Sequence, residues 1–433
     1  MKDFIKTIKN IWAIEELRKK ILFTLGMILI FRVMSYVVLP GVNTEVLSQG
    51  GSSPLAGILD LFAGGAFSRA SIAALGIMPY ITASIIMQLL GIAVPTIQKL
   101  QKEGESGRRK INQWTRILTI IICAFQTPGF IYMMIPPEAR PDSSGWLIST
   151  GIILIAGTMF IMWLGEKITD KGIGNGISLL IMIGIIAGLP QAFAQELVSR
   201  HDAGGLVIFL VEIVALLLVI LFSILLVQGT RRVPIQFAKR VVSMRGGKQQ
   251  IGQAPRRYLP LKVNAAGVMP IIFAQALMVI PTYLGIDNFT MQSFWYNFVL
   301  AMLIILFTYF YTAITVNPNQ MADELKKSGG FIPGVKPGRK TAEFLDTLLS
   351  RITLPGSIFL ALIAILPAFA MMFGVKQGFA MFYGGTSLLI MVGVVLDTLQ
   401  QVESYLLNRE YDGLMKSGRI KGRSSSALPG MTA

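Results

Sequence analysis

The chain has 433 residues, of which 53% are hydrophobic and only 14% are charged, and its formal net charge is +16. Apolar runs of about twenty residues recur along its length, which excludes a soluble globular protein and indicates a polytopic membrane protein. The one cysteine, Cys123, lies inside an apolar run, and the one histidine, His201, has no cluster of metal-ligating residues beside it. A disulfide framework, a metal centre and a bound cofactor are therefore not expected.

The amino-terminal segment, residues 1–20, is basic and amphipathic and is predicted to lie on the membrane surface. Ten apolar runs follow it, each long enough to cross a hydrocarbon core of about 30 Å as a helix. Because lipid cannot satisfy an irregular backbone, only helices are expected there. The sequence predicts an all-α fold of ten transmembrane helices beginning near Ile21, Ile72, Ile117, Trp146, Ile177, Gly205, Val263, Phe294, Ile352 and Gly378.

The stretch before the second run is unusual. Residues 54–77, "PLAGILDLFAGGAFSRASIAALGI", begin as a short, glycine-rich, amphipathic half-helix that contains Asp60 and Arg69 and then pass into the apolar run without a break. Composition alone does not explain why a charged half-helix precedes a membrane span.

The basic residues alternate strongly between the two sides of the predicted membrane. The amino terminus and every second connection after it, ending with the carboxy-terminal tail, contain 34 of the 39 Lys and Arg residues. The positive-inside rule therefore predicts that both termini are cytoplasmic. The basic segments are 93–116, 165–173, 228–262, 317–351 and 398–433.

An internal repeat relates two halves of the chain. Residues 74–87 match residues 265–278 at seven of fourteen positions, which places Met78-Pro79 on Met269-Pro270. Residues 174–186 match residues 383–395 at seven of thirteen. Because the paired spans would cross the membrane in opposite directions, the repeat predicts two inverted five-helix halves, 21–200 and 201–400, followed by a cytoplasmic tail, 401–433.

The paired positions near the predicted midplane are isoleucines rather than ionisable residues. Ile81 pairs with Ile272 and Ile181 with Ile390, while Ile77 and Ile177 each precede a paired residue by four positions on one helix face. These residues form either a collar that excludes ions by dewetting or an ordinary apolar core. The ionisable residues inside spans, Arg32 and Glu212, are expected to be structural, either as a pair or at the membrane interface.

Two cytoplasmic segments are longer than a connection needs. Segment 228–262 has nine basic residues and no acidic one, and segment 317–351 has six basic residues. They either serve only to fix the topology or form a docking surface for an acidic protein, anionic lipid or ribosomal RNA.

Several long motifs resemble the SecY family, the channel subunits of bacterial protein translocases. They are "QKEGESGRRKINQWTR", "WLGEKITDKGIGNGIS", "LPLKVNAAGVMP", "FIPGVKPGR" and "FYGGTSLLI", in collinear order along essentially the whole chain. The resemblance implies a clamshell of two halves around an hourglass pore, located in the bacterial cytoplasmic membrane. It also implies the partners SecE, SecG, the motor ATPase SecA, the ribosome, signal peptides and nascent preproteins. Anionic lipids are a further expected partner, because the cytoplasmic segments are basic.

The resemblance also implies site residues. The outer half-helix, residues 54–70, would be a plug of the pore. In the long cytoplasmic segment 317–351, Lys336 stands where many relatives have an arginine, and lysine lacks the planar bidentate donor of arginine. The implied plug residues are Ile58, Leu59, Asp60, Leu61, Phe62, Gly64 and Gly65. The implied pore ring is Ile77, Ile81, Ile177, Ile181, Ile272 and Ile390. The implied docking residues are Arg108, Arg109, Lys239, Arg240, Lys336 and Arg339.

A lateral gate is predicted between the second and seventh helices. Pro79 and Pro270 are expected to permit bending inside these helices, because an internal proline removes a backbone hydrogen bond. Small side chains on their facing surfaces would allow the helices to meet and part. The predicted gate residues are Pro79, Thr82, Ile86, Ala276 and Ile280.

These features predict a passive protein-conducting channel that is not an enzyme, since no phosphate-binding loop or acid–base constellation is present. Two alternatives remain open from the residues alone: a secondary transporter with inverted repeats, and an insertase-like scaffold with no aqueous path.

Overall fold

The structure is a computed structural model of the chain, and it describes residues 12, 14–43, 64–141, 145–202, 205–237, 241–245, 248–252, 257–283 and 292–416. The first half contains α1 (Glu15–Met34), α2 (Met78–Ala93), α3 (Pro95–Lys102), α4 (Glu105–Met134), α5 (Trp146–Lys171) and α6 (Gly176–Asp202). The second half contains α7 (Leu206–Gln228), α8 (Met269–Tyr283), α9 (Phe294–Thr315), α10 (Pro318–Lys327), α11 (Arg339–Met372), α12 (Gln377–Ala380) and α13 (Gly385–Lys416).

All ten predicted apolar runs coincide with helices. Within the described residues, seven helices (α4, α5, α6, α7, α9, α11 and α13) are long and apolar enough to cross a membrane, and α2 with α3 adds an eighth if the bent pair is one span. The other two runs correspond to α1, which has charged residues in its first turns, and to α8, which has 15 residues. The predicted all-α membrane fold is confirmed.

Three helices begin later than the sequence predicts, and for two of them a glycine just before the helix determines the first helical residue. The second and seventh begin at Met78 and Met269 instead of Ile72 and Val263, and each is preceded by a matched glycine of the repeat with positive φ, Gly76 at 56° and Gly267 at 65°. That backbone conformation is left-handed and interrupts a right-handed helix, so the helix starts after it. The tenth begins at Gly385 rather than at Gly378.

The two halves repeat one packing pattern. In the first half, α2 packs on α4, α4 on α5, and α5 on both α6 and α1; in the second, α8 packs on α9, α9 on α11, and α11 on both α13 and α7. Two separate apolar cores follow this division, one built mainly by the first half and one by the second.

The orientation of α6 and α13 supports the inverted repeat. Their first residues, Gly176 and Gly385, are matched positions of the repeat. The backbone N–H of Gly174, just before α6, donates to Oε1 of Gln401 at 2.8 Å, although Gln401 lies in the second half of α13. Because the start of α6 lies beside a late part of α13, the two helices run in opposite directions.

The segments between spans contain strands that the sequence analysis did not anticipate. In segment 228–262, β1 (Thr230–Phe237) pairs antiparallel with β4 (Arg257–Lys262), and β2 (Val241–Arg245) pairs with β3 (Lys248–Gly252). From segment 317–351, β5 (Gly330–Phe331) joins the other edge of β1. A small apolar core that includes Val233, Leu261 and Leu345 ties both segments to the base of α11. The two long segments therefore form one folded unit.

Candidate functional site

A cavity of about 470 Å³ lies where helices of both halves meet. Residues from α2, α6, α8 and α13 line it, together with the turn that precedes α8. Five of the six predicted ring residues are among its lining, namely Ile81, Ile177, Ile181, Ile272 and Ile390. The sixth, Ile77, is buried beside the start of α2. The structure thus brings five of the six predicted ring residues to one cavity.

The repeat explains this convergence. Ile81 and Ile272 are each the fourth residue of their helix, and Ile181 and Ile390 are each the sixth. Matched helices that start at matched residues therefore carry their isoleucines at the same distance from the helix start. The carbonyl of Ile77 accepts the first helical hydrogen bond of α2, from the N–H of Ile81 at 3.1 Å.

Ile77 differs from its expected setting. It is the residue that caps α2, with φ −97° and ψ −2°, and so it precedes the helix rather than sharing a helical face with Ile81. The late start of α2 after Gly76 is the cause.

The cavity has a polar rim that the sequence analysis missed. Four polar residues are part of its lining: Asn175 just before α6, Lys262 at the end of β4, Asn264 in the turn before α8, and Asp397 on α13. Oδ1 of Asn175 accepts from the N–H of Ile177 at 3.1 Å, so this side chain caps α6, whereas Oδ1 of Asn264 is buried without a hydrogen-bond partner. An asparagine directly before an apolar run is a helix-cap signal, and it marks Asn175 in the sequence.

Only part of the predicted plug can be described. Ile58, Leu59, Asp60, Leu61 and Phe62 lie outside the described residues. Residues 64–70 form turns, so the half-helix predicted for 54–70 does not extend through this part. The reason is conformational, since Gly64, Gly65 and Ala70 have φ of 66°, 82° and 45°.

Gly64 is held against the first half of the chain. Nη1 of Arg32, on α1, donates to the carbonyl of Gly64 at 3.0 Å. A Cβ atom at Gly64 would lie 2.9 Å from Cα of Gly184 on α6. This approach is possible only for glycine, because a side chain would meet backbone.

The predicted gate residues lie on α2 and α8, two of the helices that line the cavity, but one expectation about them is wrong. Pro79 and Pro270 are the second residues of α2 and α8, where a proline has no helical hydrogen bond to remove. They therefore start these helices instead of bending them. The hydroxyl of Thr82 donates to the carbonyl of Met78 at 3.1 Å, and Ile86 is half-buried. Ala276 and Ile280 lie on α8, and their side chains lie outside the described residues.

The helices α2 and α8 do not pack closely. Both line the cavity, yet they are not among the helix pairs with extensive backbone approach. One described contact bridges the halves near this seam: the hydroxyl of Tyr311 on α9 donates to Oε1 of Gln88 on α2 at 3.0 Å.

The predicted docking residues lie at two exposed places. Arg108 and Arg109 are in the first turn of α4, and Lys336 and Arg339 are just before and at the start of α11. The hydrogen bond from Lys340, the charge of Lys340 and the nearby Arg339 together lower the pKa of the Glu343 carboxyl. Lys239 and Arg240 lie outside the described residues.

Comparison with known proteins gives consistent matches over the whole chain. A family model described as SecY matches residues 71–399. The chain is 44% identical over 438 residues to the protein translocase subunit SecY of Halalkalibacterium halodurans, covering 95% of this chain and 100% of that protein. It is 40% identical over 438 residues to the protein of the same name from Escherichia coli K12, covering 95% and 96%.

Solved structures share the fold. The chain aligns with the structure of a protein conducting channel at a TM-score of 0.65 and 18% identity, covering 95% of both chains. It aligns with Sec61 in a canine ribosome-channel complex at a TM-score of 0.58 and 18% identity, again covering 95% of both.

Proposed function

This chain belongs to the SecY family, and on that premise we propose that its cavity is part of the path by which it conducts preproteins. The chain is a subunit of a protein-conducting channel and not an enzyme. In this role it carries secretory preproteins across the cytoplasmic membrane and releases membrane-protein segments sideways into lipid.

One observation carries the proposal for the site: isoleucines at matched positions of both halves converge on a single cavity. A narrow apolar constriction excludes water and ions by dewetting. Because isoleucines from separate helices form it, the constriction can widen when the halves part. We therefore assign Ile77, Ile81, Ile177, Ile181, Ile272 and Ile390 to a pore ring, and residues 54–70 to its plug.

The transporter alternative finds less support in the same site. A coupled transporter needs polar or ionisable groups at the interface of its repeats, whereas the matched positions here are apolar. A direct test uses proteoliposomes that contain the purified chain with its partner subunits. A secretory preprotein should become protease-protected only with a motor ATPase and ATP, and small solutes should not accumulate. Solute uptake without preprotein movement would overturn the proposal.

We propose that the exposed basic residues dock large partners, namely SecA and the ribosome. The support is that Arg108, Arg109 and Lys336 are exposed and that the long segments form a folded unit below the membrane helices. The canine Sec61 chain with the same fold is part of a ribosome-channel complex. SecE, SecG, signal peptides and anionic lipids complete the proposed set of partners.

The docking surface can be tested by charge reversal. The double variant Lys239→Glu/Arg240→Glu should weaken binding of SecA or ribosomes to vesicles that contain the channel. The matched control is Arg18→Glu/Lys19→Glu, which changes net charge equally at the exposed start of α1. Binding curves that overlay the wild type at physiological salt would show that the two residues only fix topology.

We also propose that both termini are cytoplasmic, because 34 of the 39 basic residues lie in segments on that side. A fluorescent reporter joined to Ala433 should be active in the cytoplasm. An inactive reporter on a correctly inserted chain would contradict the orientation.

A further inference from the structure

Tyr36, just beyond the end of α1, contacts two arginines. Cζ of Arg69 lies 4.3 Å from the centre of the Tyr36 ring, and Cζ of Arg32 lies 5.4 Å from it. Both distances are in the range of cation–π contacts. Tyr36 itself is 59% exposed, so the two guanidinium groups meet at an accessible aromatic ring.

Within the described residues, no carboxylate pairs with either guanidinium. Arg32 donates to the carbonyl of Gly64 at 3.0 Å and to the hydroxyl of Tyr36 at 3.4 Å, both of which are neutral groups. Nη1 of Arg69 is buried and has no hydrogen-bond partner. Two adjacent positive charges and an unpaired buried donor are unfavourable unless an anion is present.

Other arginines on the sparsely charged side are fully engaged. Arg140 donates to the carbonyls of Ile135 and Ile131 at 2.7 and 3.0 Å, and so closes the end of α4. Arg200 forms ion pairs with Glu196 and Glu212. Arg200 thus has carboxylate partners and Arg140 has backbone carbonyls, whereas Nη1 of Arg69 is buried with neither.

The backbone holds Arg69 in place. The following residue, Ala70, has φ 45°, a conformation that costs a non-glycine residue about 1 kcal/mol or more. The N–H of Leu39 donates to the carbonyl of Ala70 at 2.9 Å, and the N–H of Ile72 donates to the carbonyl of Val37 at 2.9 Å. These bonds fix the chain around Arg69 against the segment that follows Tyr36.

Apolar side chains extend from this charged site along one face of α1. Leu29 and Val33 are 63% and 57% exposed, and they are spaced four residues apart so that they share a helix face. Arg32 and Tyr36 lie next to that face at the end of the helix. A tyrosine and two arginines beside an exposed apolar stripe are typical of the boundary between lipid headgroups and hydrocarbon.

We propose that Arg32, Arg69 and Tyr36 form a binding site for an anionic phospholipid. Its phosphate supplies the missing negative charge to the two guanidinium groups, which bind phosphate well because of their planar donors. Its acyl chains lie along Leu29 and Val33. The site is separate from the basic cytoplasmic segments. It joins the end of α1 to residues 64–70, the last part of the predicted plug segment.

The test uses the purified full chain in phosphatidylcholine nanodiscs with and without phosphatidylglycerol, with hydrogen exchange of residues 64–72 as the local readout. Phosphatidylglycerol should slow hydrogen exchange of these residues by about tenfold, because one charge-assisted hydrogen bond changes an equilibrium by about that factor. Arg32→Gln/Arg69→Gln should lose the effect. Lys376→Gln, which removes an exposed cation from the same side, should keep it.

Several outcomes would overturn the proposal. Inorganic phosphate that gives the same protection in pure phosphatidylcholine would indicate an ion site without lipid. Two results together would identify Asp60 as the counter-charge of the arginines: faster hydrogen exchange of residues 64–72 in Asp60→Asn in pure phosphatidylcholine, and no effect of phosphatidylglycerol on exchange in the wild type. Protection that persists in Arg32→Gln/Arg69→Gln would exclude the arginines. Should that variant not fold, Arg69→Lys tests the site, because it keeps the charge and should retain only part of the protection.

Discussion

Nη2 of Arg200 on α6 donates to Oε1 of Glu212 on α7 at 2.6 Å, and this ion pair crosses the connection between the two halves. Nε of Arg200 also donates to Glu196, whose other oxygen accepts from the N–H of Lys376 at 2.9 Å. The hydroxyl of Tyr383 donates to the carbonyl of Glu212. One arginine therefore joins both halves at the point where the chain passes from the first to the second.

Replacing Arg200 by methionine should destabilise the protein strongly. Its side chain is 16% exposed and those of its partners 0% and 8%, so removing it leaves buried carboxylates without a counter-charge. Such a loss costs about 3–5 kcal/mol. Thermal unfolding of the detergent-purified chain measures it. Arg116→Met is the control, because its pair with Glu166 is more exposed, at 47% and 26%, and should contribute about 1 kcal/mol or less. Equal melting temperatures for the two variants would contradict this.

Gly64 should tolerate alanine poorly. The substitution combines a left-handed backbone with a Cβ placed 2.9 Å from Cα of Gly184. Gly329→Ala is the matched control, because Gly329 has φ 72° with no atom within 4 Å of an added Cβ, and so isolates the backbone cost of about 1 kcal/mol. Gly64→Ala should lower the unfolding temperature more, and limited proteolysis should show that residues 64–70 move away from α6. Equal effects would mean that the approach to Gly184 relaxes without cost.

The ring residues should control leakage. Replacing Ile81 or Ile390 by asparagine hydrates the constriction, so preproteins with defective signal peptides should be exported more readily. Ile183→Asn is the control, since Ile183 lies on α6 near Ile181 but does not line the cavity. Export in cells is the readout, with the amount of each variant measured in membranes. Unchanged export at normal abundance would argue against a gating role for these isoleucines.

The convergence of these isoleucines on one cavity was predictable, because the internal repeat pairs their positions. Ile81, Ile272, Ile181 and Ile390 were located by matching two pairs of spans, and the two members of each pair lie equally far from the start of their helices. The starts of α2 and α8 were predicted too early, because hydropathy does not register the positive φ of Gly76 and Gly267.

Contacts between distant parts of the chain were not predictable. Glu212 was recognised as a structural charge, but its partner, Arg200, lies near the end of another helix, α6. Arg32 contacts Gly64 and Tyr36 instead. The pairing of β1 with β4 joins Thr230 to Lys262 across a polar segment with no clear alternation. Spacing along one sequence carries no information about such partners.

Tyr311 should stabilise the closed seam between the halves. Its hydroxyl bonds to Gln88 on α2, and a neutral hydrogen bond contributes about 1 kcal/mol, or about fivefold in an equilibrium. Tyr311→Phe should therefore favour opening, which appears as increased export of preproteins with weak signal peptides. Tyr309→Phe, on the same helix, is the control. If the two variants export equally, the Gln88 contact does not hold the seam.

The seam itself is tested by cross-linking α2 to α8. Because Pro79 and Pro270 lie in first turns, these helices would move as rigid units about the turns before them, instead of bending internally. Rigid movement means that one covalent bond between the helices should hold the whole seam closed.

In a chain with Cys123→Ala, we expect Thr82→Cys combined with Ala276→Cys or Ile280→Cys to form a disulfide on oxidation. A disulfide needs Cα atoms about 4.4–6.8 Å apart, so the bond captures the helices only when the seam closes. Translocation should then stop and recover on reduction. Single-cysteine variants treated with the same oxidant control for unrelated damage. Efficient cross-linking with preproteins still crossing at the wild-type rate would show that the seam is a static interface and not a lateral gate.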